Sequence, residues 1–208
     1  MPRPDTRLPA NPGRRTLLAG AAGLALVAGL GPRGAWAMTT AQATTLVDAL
    51  IVDINKVIAS GESEDRMIRD FEGIFDRYAD VPAIARYALG ADARRATSSQ
   101  MARFTAAFRL YITRRYGRRF REFIGGRIEM TGTVQLPRGV QVKTNAILRG
   151  QAPFEVDFNV SDASGKVLFY NIIIEGVDML LSERTEIGAM LDQRRGNIDQ
   201  LIADLANT

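Results

Sequence analysis

The 208-residue chain contains neither cysteine nor histidine. Their absence excludes disulfides, metal sites built on thiolate or imidazole, covalent haem attachment, a lipidated N-terminal cysteine, and Ser-His or Cys-His catalytic pairs. The only lysines are Lys56, Lys143 and Lys166, and each has polar sequence neighbours, so a desolvated catalytic lysine is not indicated. We therefore expect no metal and no cofactor. The chemistry that stays open is that of carboxylates, or none.

The net charge of +4 is concentrated at the N-terminus. Residues 1–37 hold five arginines and one aspartate, and taking these from the 27 basic and 23 acidic residues leaves 22 of each sign. Residues 38–208 are therefore formally neutral, and net charge gives no reason to expect nucleic acid as a partner. The aromatic residues also follow apolar stripes instead of alternating with basic residues on strands, which is the usual pattern for RNA binding.

Residues 1–37 have the order of a cleavable export signal. Arg14 and Arg15 precede an apolar stretch from Leu17 to Leu30, and Ala35-Trp36-Ala37 is a small-x-small cleavage pattern. The stretch is shorter than the roughly 20 residues of a membrane-spanning helix. The paired arginines favour the twin-arginine route of bacteria, and the Sec route also fits. We predict cleavage after Ala37 and a single periplasmic domain of residues 38–208.

Hydrophobic periodicity predicts an α+β domain in which a helical layer packs on a curved, four-stranded antiparallel sheet. The predicted helices cover residues 41–59, 64–78, 81–89, 98–124, 177–194 and 197–206. The predicted strands cover residues 128–136, 140–148, 154–161 and 167–174. Gly and Asp residues between the strands indicate hairpin turns. The order is four helices, four strands and two helices.

The predicted helical layer is rich in aromatic residues. Residues 71–123 hold ten of the fourteen Phe and Tyr residues of the chain. Together with apolar strand residues, they either fill a closed core or leave an apolar cavity for an elongated ligand. Periodicity alone does not separate these two interpretations.

Charge is segregated along the domain. Residues 48–92 carry ten acidic and five basic residues, whereas residues 94–127 carry ten arginines and one acid, Glu122. On the long fourth helix Arg103, Arg114, Arg118 and Arg121 are predicted to share one face. That face is either solvated, or it docks to an acidic protein partner or to anionic head groups.

Signals for an enzyme are weak. Glu155 and Asp157 lie two residues apart on one strand face, where they could form a carboxylate pair but also fit the solvent side of an alternating strand. The sequence has no GxSxG motif and no glycine-rich phosphate loop. We expect no catalytic residue.

Three stretches together resemble a known family. The first is Phe104-Thr105-Ala106-Ala107-Phe108-Arg109-Leu110-Tyr111 followed by Tyr116-Gly117. The second runs from Phe154-Glu155-Val156-Asp157-Phe158 through Gly165-Lys166 to Tyr170-Asn171-Ile172-Ile173-Ile174-Glu175-Gly176-Val177, and the third is Arg184 with the closing Ile198-Asp199-Gln200-Leu201-Ile202. In these stretches the chain resembles the MlaC family, also called the toluene-tolerance Ttg2 family, over most of residues 41–206. A hopanoid-associated branch of that family is also compatible.

The resemblance implies a soluble, monomeric periplasmic protein that binds phospholipid and serves a lipid-trafficking ABC system. It implies as partners an inner-membrane ABC/MCE complex and an outer-membrane lipoprotein complex, with acyl chains lying between sheet and helices and the head group near solvent. The candidate wall residues are then Phe75, Tyr78, Tyr87, Phe104, Phe108, Tyr111, Phe120, Val142, Phe158, Val160, Ile172 and Ile174. Candidates for contact with the head group or a partner are Arg109, Arg114 and Arg118. The chain departs from the family pattern at Val167, Asn171, Asp178 and Glu183, where the family often has Trp, Asp, Ser and an aromatic residue.

Overall fold

The computed structural model describes residues 38–118 and 123–207. The predicted export signal, its cleavage after Ala37, and the candidate wall residue Phe120 lie outside these residues. Within the described ranges, no helix combines the length and the apolar character needed to cross a membrane.

Six α-helices and a 3-10 turn form within the described ranges. The helices are α1 (Thr40–Ala59), α2 (Glu64–Tyr78), α3 (Val81–Leu89), α4 (Ser98–Gly117), α5 (Met179–Gln193) and α6 (Ile198–Asn207), and the 3-10 turn is Gly90–Arg94. Side chains that accept hydrogen bonds from the first-turn amides fix several helix starts. Thr39 and Thr97 form capping boxes with Gln42 and Gln100, so the two 20-residue helices α1 and α4 begin where their sequences specify.

The strands form one antiparallel sheet in which neighbours in sequence are neighbours in space. They are β1 (Arg127–Leu136), β2 (Gly139–Ile147), β3 (Phe154–Ser161), β4 (Leu168–Ile174) and β5 (Val177–Asp178), in the order β1-β2-β3-β4-β5. The tight turn between β1 and β2 depends on Gly139, which has a φ of +105°. A Cβ atom there would lie 2.0 Å from the carbonyl oxygen of Val160, so no other residue fits.

The predicted α+β class, helix count and antiparallel sheet are confirmed, and two details are corrected. The sheet has five strands, not four, because residues 177–178 pair with β4 before α5 begins. Asp178 accepts a hydrogen bond from the amide of Leu181 and caps α5, which therefore starts at Met179 instead of Val177. The fourth helix, expected to reach residue 124, is α-helical through Gly117, and residues 119–122 lie outside the described ranges.

The packing of the helices explains the charge segregation. Helix α4 lies against α2, α3 and α6, while α1 lies against β1 and β2 and α5 against β4. The acids of α2 therefore meet the arginines of α4: Nη2 of Arg109 is 3.2 Å from Glu72, and its Nη1 donates to Asp76. Arg103 likewise pairs with Asp199 of α6 at 2.5 Å. Many of the charged side chains thus form ion pairs between helices.

Candidate functional site

Most of the predicted wall residues lie in one continuous apolar core. This core draws on α2 and α4 as well as β2, β3 and β4, and it includes Phe104 and Phe108 with no solvent exposure at all. The buried members of the predicted set are Phe75, Tyr78, Phe104, Phe108, Tyr111, Val142, Phe158 and Val160. The structure therefore brings the helical and strand members of the set together.

Aromatic rings connect the helical layer to the sheet. The ring of Phe75 on α2 lies 6.1 Å from that of Phe169 on β4, and Phe169 in turn lies edge-on at 5.8 Å to Phe158 on β3. We call Phe75, Phe169 and Phe158 the aromatic bridge. On α4, Phe104 stacks on Phe108 at 5.7 Å. Ring-to-ring contacts of this kind are apolar and weakly directional, so they hold the two layers without hydrogen bonds.

The central residue of the bridge, Phe169, was not among the predicted wall residues. Strict alternation backwards from Ile172 and Ile174 assigns Tyr170, and not Phe169, to their face of the strand. A β-bulge between Asn159 and Val160 shifts the register, so that Phe169 lies opposite Val160. No local signal in the sequence marks this bulge.

Three other predicted wall residues are less buried. Tyr87 is 41% exposed, and the guanidinium of Arg184 lies 5.1 Å from the centre of its ring. Ile172 and Ile174 are half-buried and pack against the edge of the core. These residues stand where the apolar layer meets solvent.

The space between the layers is filled by the predicted wall residues themselves. Two concavities of the described surface lie elsewhere and involve none of them. One, of about 380 Å³, is lined by Ala41, Gln42, Thr45, Leu46 and Val167. The other, of about 490 Å³, lies between α2 and α4 and is lined by Glu64, Asp65, Ile68, Arg69, Glu72, Leu110, Thr113, Arg114 and Arg118. The buried wall residues thus form a packed apolar core, as in the first of the two sequence interpretations.

The three predicted head-group or partner arginines have different surroundings. Arg109 is held in a fork between Glu72 and Asp76 of α2. Arg114 donates to the carbonyl oxygen of Ala206, while Arg118 is exposed, and both line the groove between α2 and α4. The groove also contains acids of α2, so its charge is mixed.

A polar cluster between α4 and α5 was missed by the sequence reasoning. Tyr116 donates its hydroxyl hydrogen to Oε1 of Glu183, which is only 4% exposed. Arg115 donates to the hydroxyl oxygen of Tyr111, and its Nε and Nη1 atoms lie 3.8 Å and 3.7 Å from Glu183 and Glu186. We call these five residues the α4–α5 cluster. A signal did exist, because Glu183 precedes the buried Ile187 and Leu191 by four and eight residues and so shares their face of α5.

Burial controls protonation in this cluster. Desolvation raises the pKa of Glu183, and the hydrogen bond from Tyr116 and the charge of Arg115 oppose that rise. Desolvation and the hydrogen bond to Glu183 also raise the pKa of Tyr116, which therefore stays a donor at neutral pH. Among the described residues, Oε2 of Glu183 has no hydrogen-bond partner.

The possible carboxylate pair lies on the other face of the sheet. The ammonium of Lys143 is 4.0 Å from Glu155 and 3.9 Å from Asp157, so a cation lies close to both acids. Asp157 is buried, which raises its pKa, and its Oδ1 accepts a hydrogen bond from the Thr144 amide. Glu155 is exposed. The arrangement is that of an ion-paired strand surface.

Polar contacts attach α1, α3 and α5 to the sheet but not α4. The side-chain amide of Asn55 on α1 both donates to and accepts from the backbone of Ile128. The amide of Asp80, just before α3, donates to Phe169, and Asn171 accepts from the amide of Leu180 on α5. Between residues 98–117 and the described strands there is no hydrogen bond or ion pair. Helix α4 is thus held over the core by apolar contacts and by its pairing with other helices.

An open antiparallel sheet covered by helices, with an aromatic layer between them, defines an α+β domain built around one apolar core. We call the part of this core that lies between the helices and the sheet the apolar seam. Residues 44–207 match the family model described as MlaC protein, so the chain belongs to the MlaC family. A solved structure with the same fold is the phospholipid-binding protein from Ralstonia solanacearum in complex with a phospholipid, with a TM-score of 0.67 and 17% sequence identity. The alignment covers 79% of this chain and 99% of that one. Comparison with curated proteins finds no match.

Proposed function

We propose that the protein is a lipid carrier of the periplasm. It holds the acyl chains of a phospholipid between the helical layer and the sheet, and carries them between an inner-membrane ABC/MCE complex and an outer-membrane lipoprotein complex. The observation that supports this most is the continuous apolar core that the helical layer and the sheet share, in a chain of the MlaC family. Residues 1–37 serve as the export signal. The carrier function requires no catalytic group.

A carrier of this kind replaces the membrane interior for a lipid in transit. A two-chain lipid exposes on the order of 30 methylenes, each worth about 0.8 kcal/mol in water. Leaving a membrane unaided would thus cost tens of kcal/mol. Apolar walls such as Phe108 and Val160, which have no solvent exposure, remove that cost without any catalytic group.

The apolar core is packed between the layers, so lipid loading requires the layers to part. Apolar contacts can be exchanged for contacts with acyl chains at little net cost, whereas hydrogen bonds would have to be broken. The helices α1 and α5 are tied to β1 and β4 by Asn55 and Asn171. We therefore expect α4 and the rings of the aromatic bridge to move, and α1, the start of α3 and α5 to stay with the sheet.

The closed core also agrees with a second candidate, an adaptor that docks an acidic protein through the arginine-rich helix. The pairing of Arg103, Arg109 and Arg115 with acids of the same chain speaks against it, because these charges are already neutralised. A carrier of another lipid, such as a hopanoid, would use the same apolar seam.

Lipid extraction tests the carrier function directly. The purified protein is extracted with organic solvent, and the lipid recovered is identified and quantified by mass spectrometry. We expect about one lipid per chain, and delipidated protein should take up lipid again from vesicles. An adaptor would yield no stoichiometric lipid and would take up none, and this result would overturn the proposal.

A variant at the edge of the seam tests where the lipid lies. Ile174→Asp places a charge on a half-buried position of the predicted wall, and Val134→Asp places the same charge on an exposed position of β1. The first change should reduce the lipid load severalfold because a buried carboxylate is costly beside acyl chains. The second should leave the load unchanged. Equal lipid loads in the two variants would show that the lipid does not contact this wall.

A further inference from the structure

Among the described residues, the α4–α5 cluster contains a buried carboxylate oxygen without a hydrogen-bond partner. Glu183 is 4% exposed, and its Oε1 atom is bound by the Tyr116 hydroxyl, yet Oε2 has no hydrogen-bond partner among the described residues. Leaving a buried acceptor unpaired is costly, and a native structure rarely does so without a reason. The free oxygen therefore points to a hydrogen-bond donor that is supplied from outside the chain.

The charge of the cluster indicates what kind of donor fits. Two carboxylates, Glu183 and Glu186, share the single guanidinium of Arg115 among the described residues. One negative charge is therefore in excess, and an anionic group would add to it. A cationic donor balances the charge, and a carboxylate accepts its strongest hydrogen bonds from such donors.

The aromatic rings of the cluster already hold a cation. The guanidinium carbon of Arg115 lies 5.6 Å from the centre of the Tyr111 ring and 6.0 Å from that of Tyr116. Rings within about 6 Å attract a cation through their faces. Arg115 stays paired with both carboxylates, so the excess negative charge is left for a second cation. The ring faces of Tyr111 and Tyr116 thus line a site that suits a cation.

The position of the cluster relates it to the apolar seam. Tyr111 stacks at 6.3 Å against Phe108 in the core, while its hydroxyl faces the partly exposed Arg115. The cluster therefore stands where the apolar layer meets solvent, which is where the polar end of a bound lipid emerges. We propose that Glu183, with the rings of Tyr111 and Tyr116, receives the ammonium group of an amine-bearing lipid. This role rests on the carrier function proposed above.

Competition between two lipids tests the site. The delipidated chain is incubated with vesicles of equal parts phosphatidylethanolamine and phosphatidylglycerol with matched acyl chains, isolated again, and its lipids are quantified by mass spectrometry. One charge-assisted hydrogen bond predicts enrichment of the ethanolamine lipid by about tenfold over the vesicle ratio. Glu183→Gln should return the ratio to that of the vesicle while the total load per chain stays constant. Asp192→Asn, at an exposed carboxylate of α5 outside the cluster, should keep the preference.

A second arm requires no variant. Replacing phosphatidylethanolamine with its N-acetylated form removes the positive charge, and the wild-type chain should then show no preference over phosphatidylglycerol. This arm decides the question even if Glu183→Gln does not fold. An unchanged preference for the N-acetylated lipid, or a folded Glu183→Gln chain that still selects phosphatidylethanolamine, would overturn the ammonium site. Equal uptake of both lipids by the wild type would overturn it as well and leave the carrier function intact, whereas uptake of neither lipid would overturn both.

Discussion

Truncating the centre of the aromatic bridge should cost much less stability in the lipid-loaded protein than in the lipid-free protein. Phe169 is 4% exposed and touches Phe75 and Phe158 at ring distances of 6.1 and 5.8 Å. In the lipid-free chain, Phe169→Ala removes a buried ring and leaves a cavity, which costs about 3–5 kcal/mol. For a domain of this size the melting temperature should fall by roughly 6–20 °C.

In the loaded protein the same change should have a smaller effect. If acyl chains enter between the layers, the bridge is parted and lipid methylenes fill the space that the ring vacates. The penalty of Phe169→Ala should then fall to less than half of its lipid-free value. Thermal unfolding of the delipidated and reloaded variant, each compared with wild type in the same state, measures both penalties.

A control variant separates this effect from general stabilisation by ligand. Leu201 on α6 is fully buried, and α6 packs on α4 and α5. Leu201→Ala should therefore carry the same penalty, about 2–5 kcal/mol, with and without lipid. The reasoning would be refuted if Phe169→Ala destabilised the loaded and the lipid-free protein equally.

Three further predictions concern the rest of the fold. Gly139→Ala should prevent stable folding, as measured by circular dichroism, because its Cβ would lie 2.0 Å from the Val160 carbonyl oxygen. Asn55→Ala removes two hydrogen bonds to the edge-strand residue Ile128 and should lower the free energy of unfolding in urea by about 1–3 kcal/mol. Burial raises the pKa of Glu183 above 4.5, so the native state holds this proton more tightly than the unfolded chain and loses stability as pH rises above that value. Glu183→Gln should therefore make stability depend less on pH above about 4.5.

A matched variant checks the first of these expectations. Gly165→Ala changes a glycine with a φ of +86° and open space around it, so it should cost only about 1–2 kcal/mol of backbone strain. If Gly165→Ala proved as damaging as Gly139→Ala, the close approach to Val160 would not be the cause.

The regular elements were predictable because they depend on local patterns. Apolar spacing and capping residues such as Thr97 set the helices, and alternation with Gly165 in the turn set the hairpin of β3 and β4. The two-residue strand β5 was missed, since a pair of residues carries no periodicity. The segregation of charge was also visible in the sequence, but the ion pairs that these charges form were not. Only the packing of α2 against α4 turned acids and arginines into pairs such as Asp76 with Arg109.

The sequence by itself determined that this chain forms an α+β domain with an aromatic helical layer, because periodicity and turn chemistry act over a few residues. The tertiary structure decided which side chains meet across the layers. The bulge at Asn159 and Val160 brought Phe169 into the bridge, and the approach of α5 to α4 buried Glu183 beside two tyrosines. Register and helix packing depend on residues far apart in the chain, so no local pattern contains them.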